Sequence, residues 1–236
     1  MYRTHRTYIK PDMKMSDLIN ENHTFLLMLE HLNVVFLVKD KTVHGICSEN
    51  DINLPVFLTF ANLYNGFYPS NEEINSLKDI SMIIQFLENS HNYYKYDKYP
   101  EIKGYIKKLK EHQKSEDIKL IEKFFNDYFE EVLDHLDYED KIAFPYFCQL
   151  IDPEAKAGQA AFSVNEYREH HSDIETKLTD LKNLLLKHIP LKNDLPMRRK
   201  VFFSLFELEY DLNIHSQIEE MILLPLVERI EKGETS

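Results

Sequence analysis

His135-x-x-x-Glu139 recurs eighty residues later as His215-x-x-x-Glu219, and each pair follows another histidine, His91 or His171, at a distance of forty-four residues. The match runs past these six residues. HLDYEDKIAFP (His135 to Pro145) and HSQIEEMILLP (His215 to Pro225) share the His, the Glu, an acidic neighbour, an Ile and a Pro at the same offsets. Residues i and i+4 lie on one face of an α-helix, roughly 5 to 6 Å apart at Cβ. The repeat therefore reads as a duplicated helix pair.

Apolar residues at helical spacing place each candidate on a core-facing stripe. Ile80, Ile84 and Leu87 lead to His91, and Phe124 or Phe125, Tyr128 and Val132 lead to His135, Glu139 and Ile142. Val164, Tyr167, His171, Ile174, Leu178 and Leu181 form a third stripe, and Leu205, Leu208, Leu212, His215, Glu219 and Ile222 a fourth. Only five glycines interrupt 236 residues, which predicts a nearly all-α chain. Breaks fall at HQKSED (His112 to Asp117), with Ser115 or Asp117 as N-cap, at IDPEAKAG (Ile151 to Gly158) and at HIPLKNDLP (His188 to Pro196). The expected fold is an up-down-up-down four-helix bundle over residues 76–232, with a linker at 66–75 and a small helical N-terminal domain at 1–65. Pro100, Pro145 and Pro225 sit late in helical patterns, where proline kinks or ends a helix.

Burying a carboxylate costs several kcal/mol unless it is paired, so two glutamates on core stripes demand a compensating charge. Metal ions supply it. His135 and Glu139 reach one ion or bridge to a second, His215 and Glu219 do the same from another helix, and His91 and His171 each add a nitrogen. His170 competes with His171, but the spacing of forty-four favours His171. Two ions roughly 3.5 to 4 Å apart, bridged by both carboxylates, follow from such a set, each with an open position for oxide, water or a diatomic gas. With two cysteines only, Cys47 and Cys148, ligation rests on nitrogen and oxygen, which suits iron first, with manganese or zinc as substitutes. Glu131, one turn before His135, is a second carboxylate beside the site or a rim residue, and Tyr94, Tyr128, Tyr138 and Tyr167 are core aromatics or donors to metal-bound oxygen.

A formal charge of -12 excludes nucleic acid as a principal partner, since phosphate binding needs clustered Lys and Arg. No apolar run reaches the roughly 18 residues of a membrane span and the first residues lack a secretory pattern, so the expected location is cytoplasmic, with no membrane partner.

On His91, H135-x-x-x-E139 followed by AFP, the EHH at 169 to 171, and H215-x-x-x-E219 followed by LLP, the sequence resembles the hemerythrin-like (HHE cation-binding) superfamily. Within it, the four-His, two-Glu set is similar to that of the Repair of Iron Centres proteins. The resemblance covers about residues 75 to 232. Oxygen-carrying hemerythrins differ, with an H-x-x-x-H pair where this chain has His171 and Glu175, and a fourth-helix Asp at wider spacing where it has Glu219. The N-terminal segment resembles the small domain that precedes the bundle in the repair proteins, here with Thr42-Val43 and Cys47, but the adjacent cysteine pair of that domain falls on about Phe36 and Leu37.

The resemblance implies an oxo- and carboxylate-bridged pair of iron ions and a role in nitrosative or oxidative stress, either donating iron to damaged iron-sulfur proteins or handling nitric oxide. An oxygen or nitric oxide sensor or store is the alternative. Nitric oxide reductase or oxidase-like activity is a third reading, and a homodimer is allowed for.

Overall fold

The computed structural model describes residues 6–112, 116–151, 163–170, 174–187 and 194–233. Its described residues are all-α, a helical bundle with one isolated antiparallel bridge, Lys14 to Thr42. They divide into two compact units: residues 1–90 with 214–236, and residues 91–213.

The first unit contains the short helices α1 (Met15–Glu21), α2 (Phe25–His31), α3 (Val43–Glu49), α4 (Leu54–Tyr64) and α5 (Asn71–Ser76). The last three are started by side chains that satisfy orphan backbone donors. Thr42 Oγ1 accepts from the Gly45 amide at 3.2 Å, and Asn53 Oδ1 accepts from Val56 N at 3.2 Å. Ser70 and Glu73 cap α5 reciprocally. Asp79 Oδ1 accepts from Met82 N at 3.0 Å and starts α6 (Ile80–Tyr93). Helix α2 packs on α1 and α4, and α3 on α4. The rings of Phe60 and Phe86 meet at 4.5 Å in the core. Asn62 is buried on α4, where its amide oxygen accepts from Ile9 N at 2.7 Å and its amide nitrogen donates to Leu58 O at 2.9 Å. That side chain ties the segment before α1 to α4.

In the second unit, α8 (Glu116–Tyr138) packs on α7 (Tyr99–His112) and on α11 (Ile174–Lys187). Its stripe is buried as the spacing predicts: Ile118, Ile121, Phe125, Tyr128, Val132 and Leu136. Tyr99 stacks on Phe129 with centroids 4.3 Å apart. Buried Lys98 is paired with Glu101 at 2.8 Å and with Glu207, and the buried Tyr94 hydroxyl donates to Asp211 at 2.9 Å. Ser163 and Glu166 cap α10 (Val164–His170) reciprocally, and Asp194 Oδ1 accepts from Met197 N at the start of α12 (Leu195–Ile218). The proposed cap Ser115 and most of the 151–158 and 188–196 breaks lie outside the described residues.

The three prolines do not end their helices. Each is preceded by a π-helical turn, Tyr94–Lys98, Glu139–Ala143 or Glu219–Leu223, through which the helix runs on into α7, α9 (Phe144–Ile151) or α13 (Leu224–Glu231). Proline lacks an N–H and its ring crowds the carbonyl four residues back. In a π turn that carbonyl lies in a wider loop with i→i+5 bonding. Phe144 N donates to Glu139 O, Leu224 N to Glu219 O, and Tyr99 N to Tyr94 O. Ile142, expected on the core face, is 43% exposed beside the buried Ala143, Phe144 and Phe147, whereas Ile222, at the same place in the Glu219–Leu223 turn, is buried.

Replacing Asn62 by Ala should leave Ile9 N–H unsatisfied and cost about 1–3 kcal/mol, read as a lowered midpoint in urea unfolding with an unchanged slope. An unchanged midpoint would show that the Asn62 bridge contributes nothing to stability.

Candidate metal centre

The same local device places both repeated glutamates. Glu139 opens the π turn after α8 and Glu219 the π turn after α12, and both side chains are buried, 0% and 1% exposed. A helical turn earlier, His135 sets Nε2 3.1 Å from Glu139 Oε1, and His215 sets Nε2 3.2 Å from Glu219 Oε1. In the unit formed by residues 91–213, a second imidazole joins Glu139: His91 Nε2 lies 3.3 Å from Oε2. Each oxygen of Glu139 therefore faces an imidazole nitrogen.

Hydrogen bonds on the far side of two rings orient them. His91 Nδ1 is 2.6 Å from Asp140 Oδ1, while Asp140 Oδ2 accepts from Lys95 at 2.6 Å. The His91 ring also stacks on Phe144 at 5.5 Å and 21°. His215 Nδ1 is 2.8 Å from Ser90 Oγ, whose hydroxyl donates to Leu87 O at 2.7 Å. The serine proton is thus committed, and the serine oxygen accepts from His215 Nδ1–H. Both networks assign the proton of a neutral ring to Nδ1 and leave Nε2 with a lone pair aimed at a carboxylate. Two electron-pair donors facing one another in a buried site suit a cation between them. Glu139 Oε2 accepts no hydrogen bond, which supports the same fit.

Electrostatics in the metal-free protein agree. Burial lowers the His91 pKa, but Asp140 and Glu139 outweigh it and raise it from 6.5 to about 9. Burial pushes Glu139 up, yet His135 and His91 hold its carboxyl well below the ordinary value of 4.5. A proton on His91 Nε2 thus fills the role a metal ion would take. The donors are imidazole nitrogen and carboxylate oxygen without thiolate, a set suited to iron, manganese or zinc.

The structure brings together His91, His135 and Glu139 in one unit and His215 and Glu219 in the other. His171 lies outside the described residues, as does the side chain of its competitor His170. Glu131 is on the rim, with its side chain 57% exposed and paired with Lys177. Of the tyrosines, Tyr94 turns to Asp211, whereas the Tyr167 hydroxyl donates to Glu139 Oε1 at 2.6 Å. Sequence reasoning missed Asp140 and Ser90 as partners of the imidazoles. Asp140 had a signal, because an acidic residue follows the Glu in both copies of the repeat; Ser90 had none beyond standing next to His91.

The model of the Hemerythrin HHE cation binding domain matches residues 83–227, more than half of the chain and a span that holds all six repeated residues. Among curated proteins, none matches the chain. No described helix is long and apolar enough to cross a membrane.

Asp140→Asn and Ser90→Ala should each weaken zinc binding by about 10–100-fold while leaving the helical signal intact, measured by competition with a chelator. Because His91 holds its proton up to about pH 9 in the metal-free protein, metal uptake near neutral pH should release a proton and weaken as pH falls. Calorimetric titration in two buffers of different ionisation enthalpy checks this. Identical heats in both would contradict it.

Proposed function

We propose, because the chain belongs to the hemerythrin HHE cation-binding family, that it is a non-haem di-iron protein of the cytoplasm that responds to nitrosative or oxidative stress. Its ligands would be His91, His135, Glu139, His171, His215 and Glu219. The observation that carries the reading is Glu139: a fully buried carboxylate with an imidazole Nε2 opposite each oxygen, and one of those imidazoles anchored from behind by Asp140. The repeat of the same residues at His215 and Glu219, with Ser90 as the anchor, argues for a second ion. Manganese or zinc would fit the same donors.

Bound iron would supply one-electron chemistry and a position for a diatomic gas. The protein's own residues provide the rest. Asp140 and Ser90 fix the imidazole tautomers, Phe144 holds the plane of the His91 ring, and the buried stripe around Glu139 keeps bulk water away. Such a centre serves repair, in which iron is delivered to damaged iron-sulfur proteins or nitric oxide is removed from them.

One observation favours a second reading, an oxygen or nitric oxide sensor or store. Phe36 and Leu37 stand exposed, 50% and 69%, where a cysteine pair would serve thiol-based transfer. In the same unit, burial raises the Cys47 thiol to about 12, which keeps it protonated and unreactive.

Metal analysis of the purified protein should give about two irons per chain, as a paired site requires. The Glu139→Ala, Glu219→Ala double variant should lose them; metal that persists unchanged there would sink the assignment. Nitric oxide added to the reduced protein then separates the roles. Reactivation of a damaged iron-sulfur enzyme supports repair, a stable nitrosyl supports sensing, and turnover to nitrous oxide supports a reductase.

A further inference from the structure

The two copies of the repeat differ in sequence four residues before the leading histidine of each. Tyr167 is 1% exposed, and its hydroxyl donates to Glu139 Oε1 at 2.6 Å, the same oxygen that faces His135 Nε2 at 3.1 Å. The eighty-residue repeat maps Tyr167 onto Leu87, a buried residue with no hydrogen to donate. One copy of the motif therefore carries a phenol where the other carries an alkyl chain. The phenol is fixed by packing as well, since its ring meets Phe147 edge-on at 5.7 Å on α9, just past the π turn that begins with Glu139.

We propose that Tyr167 is the positioning residue for Glu139, holding that carboxylate in its metal-binding orientation before an ion arrives. This rests on the reading of Glu139 as a metal ligand. A carboxylate oxygen has two lone pairs, so Oε1 can keep the phenol bond on one and offer the other to a cation. A buried carboxylate held on two sides has little rotational freedom left to lose on binding. Without the phenol, Glu139 turns about its terminal bond and the ion has to order it. Hydrogen bonds to metal-ligating groups of this kind are worth about 10–100-fold in affinity.

Tyr94 supplies the control. It is equally buried and donates to the carboxylate of Asp211 at 2.9 Å, but Asp211 is not one of the six candidate ligands. Tyr167→Phe, Tyr94→Phe and the wild type are compared as full chains, with zinc affinity measured by chelator competition and the d–d bands of cobalt as a probe of the ligand field. Both variants are expected to melt below the wild type in the metal-free form. Only Tyr167→Phe is expected to bind zinc about tenfold or more weakly and to shift the cobalt bands. If Tyr167→Phe melts lower but keeps wild-type affinity and cobalt spectrum, Tyr167 is merely structural and the proposal is overturned. If the wild type and Tyr94→Phe themselves bind neither ion, the metal centre itself is wrong. Should Tyr167→Phe fail to fold, the wild type decides: zinc binding must perturb the near-ultraviolet tyrosine spectrum, and a silent spectrum overturns the proposal.

Discussion

A carboxylate with no access to water has to find its counter-charge inside the protein, and Glu139 and Glu219 each place one on a helix face made otherwise of apolar side chains. An unpaired buried charge costs several kcal/mol, enough to unfold a marginal domain, so the surroundings of these two residues are tightly constrained. The imidazoles at i−4, the ring of His91, and the Asp140 and Ser90 contacts behind the imidazoles are all answers to that constraint. At Glu139 a proton on His91 answers it in the metal-free state, and the high pKa of His91 and the low one of Glu139 are two sides of the same demand for positive charge.

The arrangement also links site and scaffold closely. Asp140, which anchors His91, is itself held by Lys95, and Lys95 reaches Asp137 as well, so residues from α6's continuation and from α8 and its π turn meet in one ionic cluster. Phe144 closes the other side of the His91 ring from the start of α9. The ligand helices are therefore aligned by polar contacts at the site and by aromatic contacts beside it.

Much of this was legible in the amino-acid sequence, because helical periodicity and ligand spacing share one geometry. A stripe that ran through Ile80, Ile84 and Leu87 to His91, or through Leu205, Leu208 and Leu212 to His215, had to turn its histidine into the core, and it does. What stayed hidden was whatever departs from 3.6 residues per turn or depends on a second element. Ile142 lies off the core face while Ile222, at the same place in an equivalent π turn, is buried, and a regular period cannot tell the two apart. The prolines were visible but ambiguous, since the same residue that breaks an α-helix is accommodated by a wider turn. Ser90 became a partner of His215 only through a contact 125 residues away in sequence. The small helical N-terminal domain was visible in outline, but not its division into α1 to α4, of which α3 and α4 are started by capping side chains and α1 and α2 are not.

The π turns at Glu139–Ala143 and Glu219–Leu223 occupy the same place in both copies of the repeat, each with its proline two residues beyond. The prolines then act as a ratchet. Deleting one residue to straighten either helix would set proline's missing donor and its ring against a tight α-turn, so in each copy the proline and the widened turn can be removed only together.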